Sequence, residues 1–385
     1  MHVEYLAREL ARLVDLTVHC WGEERSAEPG GPAIRSYRPW EALAGGAGQA
    51  AALQAVSVDL AMAAGVEGAA LVHSHTWYAN LAGHLAKLLY GVPHVATVHS
   101  LEPMRPWKAE QLAGGYAVSS FCERTALEAA DAIIAVSREQ ARDVLACYPA
   151  VDPARVSVIY NGIDSERYRP DAGTAALVRH GIDPARPSVA FVGRITRQKG
   201  VTYALDAALQ FDPSAQFVLC AGAPDTPEIA AEIEAKVDRV RAERGNIIWI
   251  DRMLAREEVV QIVSHATVFL CPSIYEPLGI VNLEAMACET AVVATRTGGI
   301  PEVVEDGVTG LLVPFEPRDD GTRDPVDPAR FACDIAERVN ELLAAPERAR
   351  EMGEAGRARA IELFSWEAIA RETAALYDTL AGGAG

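Results

Sequence analysis

Residues 271–284 read Cys271-Pro272-Ser273-Ile274-Tyr275-Glu276-Pro277-Leu278-Gly279-Ile280-Val281-Asn282-Leu283-Glu284, directly after the apolar run Val268 to Leu270. A short apolar strand that opens through a loop into a helix is part of a βαβ unit. Pro277 biases Glu276 away from helical geometry, which assigns that carboxylate to the loop. The amides of Leu278, Gly279 and Ile280 then fall near the start of the helix, where free N–H groups and the helix dipole favour a phosphate. Glu284 follows about one turn further in. Taken alone, the two carboxylates are explained as well by a turn residue and a charge on a helix surface.

The same order of strand and loop occurs upstream in Phe191-Val192-Gly193-Arg194-Ile195-Thr196-Arg197-Gln198-Lys199-Gly200. Here an apolar strand ends in Gly193, and Arg194 and Lys199 fall in a loop at the carboxyl edge of a sheet. Open α/β sheets bind ligands at that edge, and a diphosphate leaving group needs positive charge there. A solvated basic loop capped by Gly200 is the plainer alternative. The agreement of this loop with the carboxylate loop favours a site.

Outward from these two stretches, β-rich runs alternate with helical patterns along nearly the whole chain, the signature of parallel sheets. The first half offers strands at Leu16 to Cys20, Ala70 to His73, His94 to Val98, Ala132 to Val136 and Val156 to Ile159. The second offers Val189 to Val192, Gln216 to Ala221, Ile247 to Ile250, Val268 to Leu270, Ala291 to Ala294 and Gly310 to Val313. Between them Tyr160-Asn161-Gly162-Ile163-Asp164 and the polar run Ser165 to Pro187 mark a domain boundary. Trp366 to Leu380 reads as a final helix with one apolar face, with Ala381 to Gly385 frayed beyond it. Gly30-Gly31-Pro32 and Gly45 to Gly48 suggest mobile loops. Gly46-Ala47-Gly48-Gln49-Ala50-Ala51 satisfies a dinucleotide fingerprint, but Tyr37-Arg38-Pro39-Trp40 before it is polar and Pro-interrupted, so no strand is expected there.

A chain of 385 residues suits two α/β domains. It contains no run approaching the roughly 20 apolar residues of a membrane span, and its amphipathic first residues are no secretory signal, so a cytoplasmic protein is expected. The balance of 35 basic and 53 acidic residues, net −18, opposes binding to nucleic acid. It does not oppose a small phosphorylated ligand held by a local Arg/Lys pair. The seven cysteines are scattered and lack a C-x-x-C pair, so they read as reduced core thiols. His73 and His75 form an H-x-H pair at a strand end, without a carboxylate or cysteine cluster to complete a metal site. His99 ends an apolar strand at the rim of the first sheet; a helix cap or a satisfied polar residue explains a lone histidine there equally well. Thr295-Arg296-Thr297-Gly298-Gly299-Ile300-Pro301-Glu302 could bring backbone close to a ligand or form an ordinary turn.

The Arg194-x4-Lys199 loop and the Glu276-x7-Glu284 motif together resemble glycosyltransferase family 4, and the resemblance covers nearly the whole chain. Val72-His73-Ser74-His75-Thr76-Trp77-Tyr78 and Thr97-Val98-His99-Ser100-Leu101-Glu102-Pro103 carry a narrower similarity to the actinobacterial glycogen synthase or α-maltose-1-phosphate synthase type. The resemblance implies a GT-B fold, α/β, with two Rossmann-like domains whose parallel sheets face a central cleft. The N-terminal domain then spans residues 1–163, with a C-terminal helix at 366–385 packing back on it, and the nucleotide-sugar domain spans 164–365.

By the same resemblance Arg194 and Lys199 hold the donor diphosphate, Glu276 contacts the donor glucose, Glu284 the ribose, and His99 lies beside the transferred sugar. Gly193, Leu278, Gly279 and Ile280 complete the donor side, and His75, Thr76 and Trp77 face the acceptor. Thr76 stands where larger glycogen and starch synthases show Asp, so acceptor contacts should differ from theirs. The implied reaction is a retaining α-glucosyl transfer from a nucleotide sugar, with ADP-glucose expected, to glucose 1-phosphate or glycogen, without a metal or other cofactor. No residue is an evident covalent nucleophile, so front-face transfer through an oxocarbenium-like state is expected. The expected partners are the nucleotide sugar and a sugar phosphate or glucan, with neither nucleic acid nor membrane; a homodimer is compatible with these.

Members of this type usually begin with a strand and a Gly-Gly loop before the helix that His2 to Leu13 resembles. The first sheet is therefore expected to lack a strand. A family member with another sugar or acceptor, a sugar-nucleotide epimerase and a non-catalytic binder remain the alternative readings.

Overall fold

The computed structural model describes residues 2–25, 30–43, 49–105, 107–109 and 114–382. Gly45 to Gly48, including the first half of the near-fingerprint, and Gly383 to Gly385 lie outside the described residues. The chain divides into two compact units, residues 1–162 with 366–385, and residues 163–365.

In the first unit four parallel strands, β3 (Val72–His75), β4 (His94–Val98), β5 (Ala132–Ala135) and β6 (Val156–Val158), lie in sequence order. Every residue of β4 and β5 is buried, as continuous apolar runs in parallel sheets require. Alternate residues serve opposite faces. Val95, Ala132 and Ile134 pack with Tyr5, Leu6 and Leu10 of α1 (His2–Leu10) and with Trp366, Ile369 and Ala370 of α14 (Trp366–Ala381). On the other face Ala96, Val98 and Ile133 meet Leu127 of α4 (Gly115–Ala129) and Val144 of α5 (Arg138–Cys147). The final helix thus completes the core of the first unit, and Ala381 continues it where fraying was expected.

A separate parallel ribbon joins β1 (Thr17–Trp21) to β2 (Ala33–Tyr37). Among the described residues β1 pairs with β2 alone and β3 with β4 alone, so ribbon and sheet do not merge. The β2 strand corrects the expectation that none precedes Gly46: that reading rested on Tyr37-Arg38-Pro39-Trp40, whereas the strand lies earlier and ends at Tyr37, just ahead of Pro39. The strand expected at Ala70 to His73 lies two residues later, which carries His75 into the sheet.

The second unit is one six-stranded parallel sheet of order β12-β11-β10-β7-β8-β9. Its strands are β7 (Ser188–Arg194), β8 (Gln216–Gly222), β9 (Ile247–Ile250), β10 (Val268–Cys271), β11 (Ala291–Thr295) and β12 (Gly310–Val313). From β7 the chain winds outward through β8 and β9, then returns to lay β10 against the other side of β7 and winds outward again. The order reverses between β7 and β10, and loops that diverge at such a reversal leave a crevice for a ligand. All seven cysteines are unpaired; Cys122, Cys220, Cys271 and Cys288 are buried, whereas Cys20, Cys147 and Cys333 are half-buried and not core residues.

Asp59 on α2 (Gln49–Ala64) is fully buried where α2 packs on α3 (Trp77–Tyr90) and α4. Neither carboxylate oxygen has a hydrogen-bond partner of normal geometry. Burial pushes its carboxyl up to about 8, with the Ala82 backbone only slightly opposing this. The unfolded chain ionises at the ordinary carboxylate pKa and the folded chain does not, so Asp59 costs nothing below about pH 4 and increasingly destabilises the fold as pH rises toward 8. Asp59→Asn should therefore raise the thermal midpoint at pH 8 by several degrees, with the gain shrinking to near zero at pH 4; a gain independent of pH would show that Asp59 is ionised in the folded protein.

Candidate active site

The crevice predicted by the strand order is occupied by one ion pair. Lys199 Nζ lies 2.6 Å from Glu276 Oε2, and the lysine and glutamate side chains are 23% and 10% exposed. Lys199 ends a short turn after β7 in which Thr196 Oγ1 accepts from the Lys199 amide. Glu276 sits in the loop between β10 and α10 (Ile280–Ala287), as its position before Pro277 requires, and also receives a bond from Ser273 Oγ. Burial alone would lower the ammonium's pKa, but Glu276, helped by Cys271 and Glu284, raises it above the ordinary lysine value.

Three loop backbones fix this pair. Gly200 adopts φ 65°, and a Cβ there would overlap the Pro272 carbonyl oxygen. Beside it the Ile274 amide donates to the Gln198 carbonyl at 2.9 Å. From β11, Gly298 adopts φ 53° against the Glu276 carbonyl, and the Gly299 amide donates to that carbonyl at 2.9 Å. The paired glycines after Thr295 thus serve to close backbone onto backbone.

The remaining predicted residues of this unit distribute around the pair. Gly193 lies in β7 with the Lys199 side chain at its face. Leu278 is buried, and Gly279 caps α10 with Ile280 as its first residue. Glu284 is no surface charge: burial raises its carboxyl pKa, opposed by a hydrogen bond from Tyr168 and by the nearby Lys199 and Arg256. Arg194 stands apart from Glu276, 59% exposed and paired with Asp225 at 2.6 Å. Asp225 is 12% exposed, so the pair is open to solvent on the arginine side, from which the guanidinium can turn to another anion.

In the first unit His75 and His99 meet because β3 and β4 are neighbours in register, His75 opposite Thr97. His75 Nδ1 and His99 Nε2 are 3.1 Å apart. His2, at the first turn of α1, joins them with ring centroids 4.4 Å from His99 and 5.3 Å from His75. Burial foremost, with the neighbouring imidazoles or the amino terminus adding to it, lowers all three: His99 to about 4, and His2 and His75 well below the ordinary histidine value. The rings are neutral near pH 7. His73 does not chelate with His75, since its ring nitrogens are engaged by Tyr377 and Thr97 at 2.6 and 2.7 Å. Nothing in the sequence pattern marked His2, because its partners lie about 70 and 100 residues away.

Thr76, between His75 and the first residue of α3, Trp77, has φ 66° and ψ 164°. That region is essentially restricted to glycine, and a β-branched residue held there stores strain of the kind found at ligand sites. Its Oγ1 is shut from solvent without a hydrogen-bond partner. Trp77 packs edge-on against the half-exposed Tyr78.

Residues 1–167 match the family described as Glycosyltransferase Family 4, and residues 175–359 match Glycosyl transferases group 1. The chain is 53% identical to α-maltose-1-phosphate synthase of Mycolicibacterium smegmatis over 98% of this chain and 94% of that protein. It is 34% identical to D-inositol 3-phosphate glycosyltransferase of Segniliparus rotundus over 82% of this chain and 67% of that one. Among solved structures, sucrose-phosphate synthase of Thermosynechococcus elongatus superposes with a TM-score of 0.77 at 26% identity, covering 99% of this chain and 93% of that one. Two Rossmann-like domains on parallel sheets are the arrangement that these relatives share.

Release of the strain at Thr76 is measurable. Thr76→Gly should stabilise the chain by about 1 kcal/mol, the relief of an outlier worth roughly 1–3 kcal/mol less the entropy cost of glycine, whereas Thr76→Ala should give no gain. Denaturant midpoints distinguish them, and a Thr76→Gly variant less stable than the parent would show that the backbone is unstrained there.

Proposed function

Since the chain belongs to glycosyltransferase family 4, we propose that this glycosyltransferase is a retaining α-glucosyltransferase that moves glucose from ADP-glucose to glucose 1-phosphate, forming maltose 1-phosphate. The single observation that carries the reading is the Lys199–Glu276 pair, fixed by three loops at the strand-order reversal of the second sheet. Its chemistry suits a bond that breaks toward a diphosphate. The Lys199 ammonium has three protons and gives one to Glu276, so two remain for phosphate oxygens. Arg194, itself exposed, leaves its partner Asp225 and adds a second charge on the same diphosphate. Together they stabilise the charge that develops on the departing nucleotide, so the transfer needs no divalent metal.

Glu276 keeps one oxygen for sugar hydroxyls, and being fixed by its loop it loses little freedom on binding. The amides of Leu278, Gly279 and Ile280 meet a phosphate at the start of α10. Glu284, now bonded by Tyr168, accepts the ribose hydroxyls. In the first unit His99 is a neutral imidazole, suited to hydrogen-bonding a sugar without adding a charge that would oppose an oxocarbenium-like state. His75, Thr76 and Trp77 take the acceptor.

A phosphorylated acceptor is preferred over glycogen because the names of two relatives, making maltose 1-phosphate and glycosylating inositol 3-phosphate, both point to a phosphorylated polyol.

With ADP-glucose as donor, ADP release should require glucose 1-phosphate, persist in EDTA, and fall about 10²–10³-fold in both Lys199→Ala and Glu276→Ala, the usual cost of removing one group that stabilises developing charge. Release with glycogen but not glucose 1-phosphate would move the reading to chain extension. Conversion of the donor without any acceptor would identify an epimerase, and binding without release a non-catalytic protein.

A further inference from the structure

We propose that His2, His75 and His99 form a binding site for a transition-metal ion of the zinc class, and that an ion held there inhibits the enzyme by withdrawing His99 from the reaction. One ring nitrogen of each residue lies within 4.8 Å of the other two. Nitrogen ligands about 2.0–2.1 Å from a tetrahedral ion stand roughly 3.4 Å from one another. His75 Nδ1 and His99 Nε2 are already 3.1 Å apart, so the spacing is met, and closing the site requires the rings to turn until their lone pairs converge on the ion.

His2 supplies the independent reason to expect a ligand. Both of its ring nitrogens are shut from solvent without a hydrogen-bond partner of normal geometry: the Asn161 side chain makes only an irregular contact with the ring, and its Oδ1 is equally unsatisfied. A buried polar atom left in that state is destabilising, and a metal bond would offset the loss. The neutral imidazoles present the lone pairs that a metal needs. His73, the fourth ring of the cluster at 4.3 Å from His75, has both nitrogens engaged and serves to hold the stack in place.

The ligand set identifies the ion's class. Three imidazoles without a carboxylate suit Zn²⁺, Co²⁺, Ni²⁺ or Cu²⁺ and not Mg²⁺ or Ca²⁺, which demand oxygen. Three protein ligands leave the fourth position to water. Of His75 and His99, the ring that now donates their shared hydrogen bond carries its proton on its other nitrogen once the ion is bound, so no net proton is lost. The inhibitory half of the proposal rests on His99 lying beside the transferred sugar, as proposed above; the binding half does not.

Titrating the full chain, freed of metal with EDTA and dialysed, with Co²⁺ and then Zn²⁺ tests the two halves separately. The expected result is a visible tetrahedral Co²⁺ spectrum at one ion per chain, displaced by Zn²⁺, with affinity reduced on the order of 100-fold or more in both His2→Ala and His75→Gln, since loss of a ligand should exceed the 10–100-fold cost of a second-shell change. His265→Gln, at a histidine of the second unit outside the cluster, should bind as the parent does. Absence of the spectrum in the parent, or its retention in both variants, overturns the site without bearing on transfer activity. Zn²⁺ should also abolish ADP release reversibly in the parent and not in His2→Ala. Stoichiometric binding with undiminished release would uphold the site and overturn the placement of His99 beside the sugar.

Discussion

A partly solvent-shielded ion pair between Lys199 and Glu276 can persist only if its desolvation is offset by good geometry on both sides. The second unit provides this through backbone. The loop after β7 is pinned to the loop after β10 at Gly200 and Gln198, and the loop after β11 is pinned to Glu276 at Gly298 and Gly299. The connections after three neighbouring strands of the sheet, β7, β10 and β11, therefore share one rim that holds the charge pair. A fixed carboxylate beside a fixed ammonium needs little reorganisation when charge develops nearby, which is the property that makes preorganised sites effective.

The first unit follows a different electrostatic logic. Its rim carries neutral imidazoles whose charged forms burial disfavours, and its interior carries a carboxyl held protonated by the same effect at Asp59. Each costs stability over its own range of pH, and in opposite directions: ionisation of the unfolded chain favours unfolding below about pH 6.5 through the histidines and above about pH 4 through Asp59. The strain at Thr76 adds to that cost at the same rim. Concentrated strain, orphaned polar atoms and suppressed charge mark the C-terminal edge of this sheet as a place where packing alone did not choose the residues.

Much of the architecture was legible in the chain because parallel strands buried on both faces must be apolar throughout. Val95 to Val98 and Ala132 to Ala135 could hardly read otherwise. The exceptions are instructive: β2 lies at the edge of a two-stranded ribbon and is only half-buried, so it carries little apolar signal ahead of the polar, Pro-interrupted Tyr37 to Trp40. The strand containing His73 and His75 begins two residues late because those histidines are engaged within the sheet, where hydrophobicity gives no signal.

The local sequence determined that Glu276 stands in a loop, that Leu278 to Ile280 open a helix and that Arg194 and Lys199 follow a strand, because proline, glycine and strand ends act over a few residues. Which charges meet was decided only by tertiary structure. Lys199 finds Glu276 across 77 residues because the strand order sets β7 beside β10, whereas Arg194, five residues from Lys199, turns to Asp225. His2 reaches His99 because α1 packs on the sheet that places His99 at its edge. Contacts of that range depend on how whole elements pack, and no short stretch of chain encodes them.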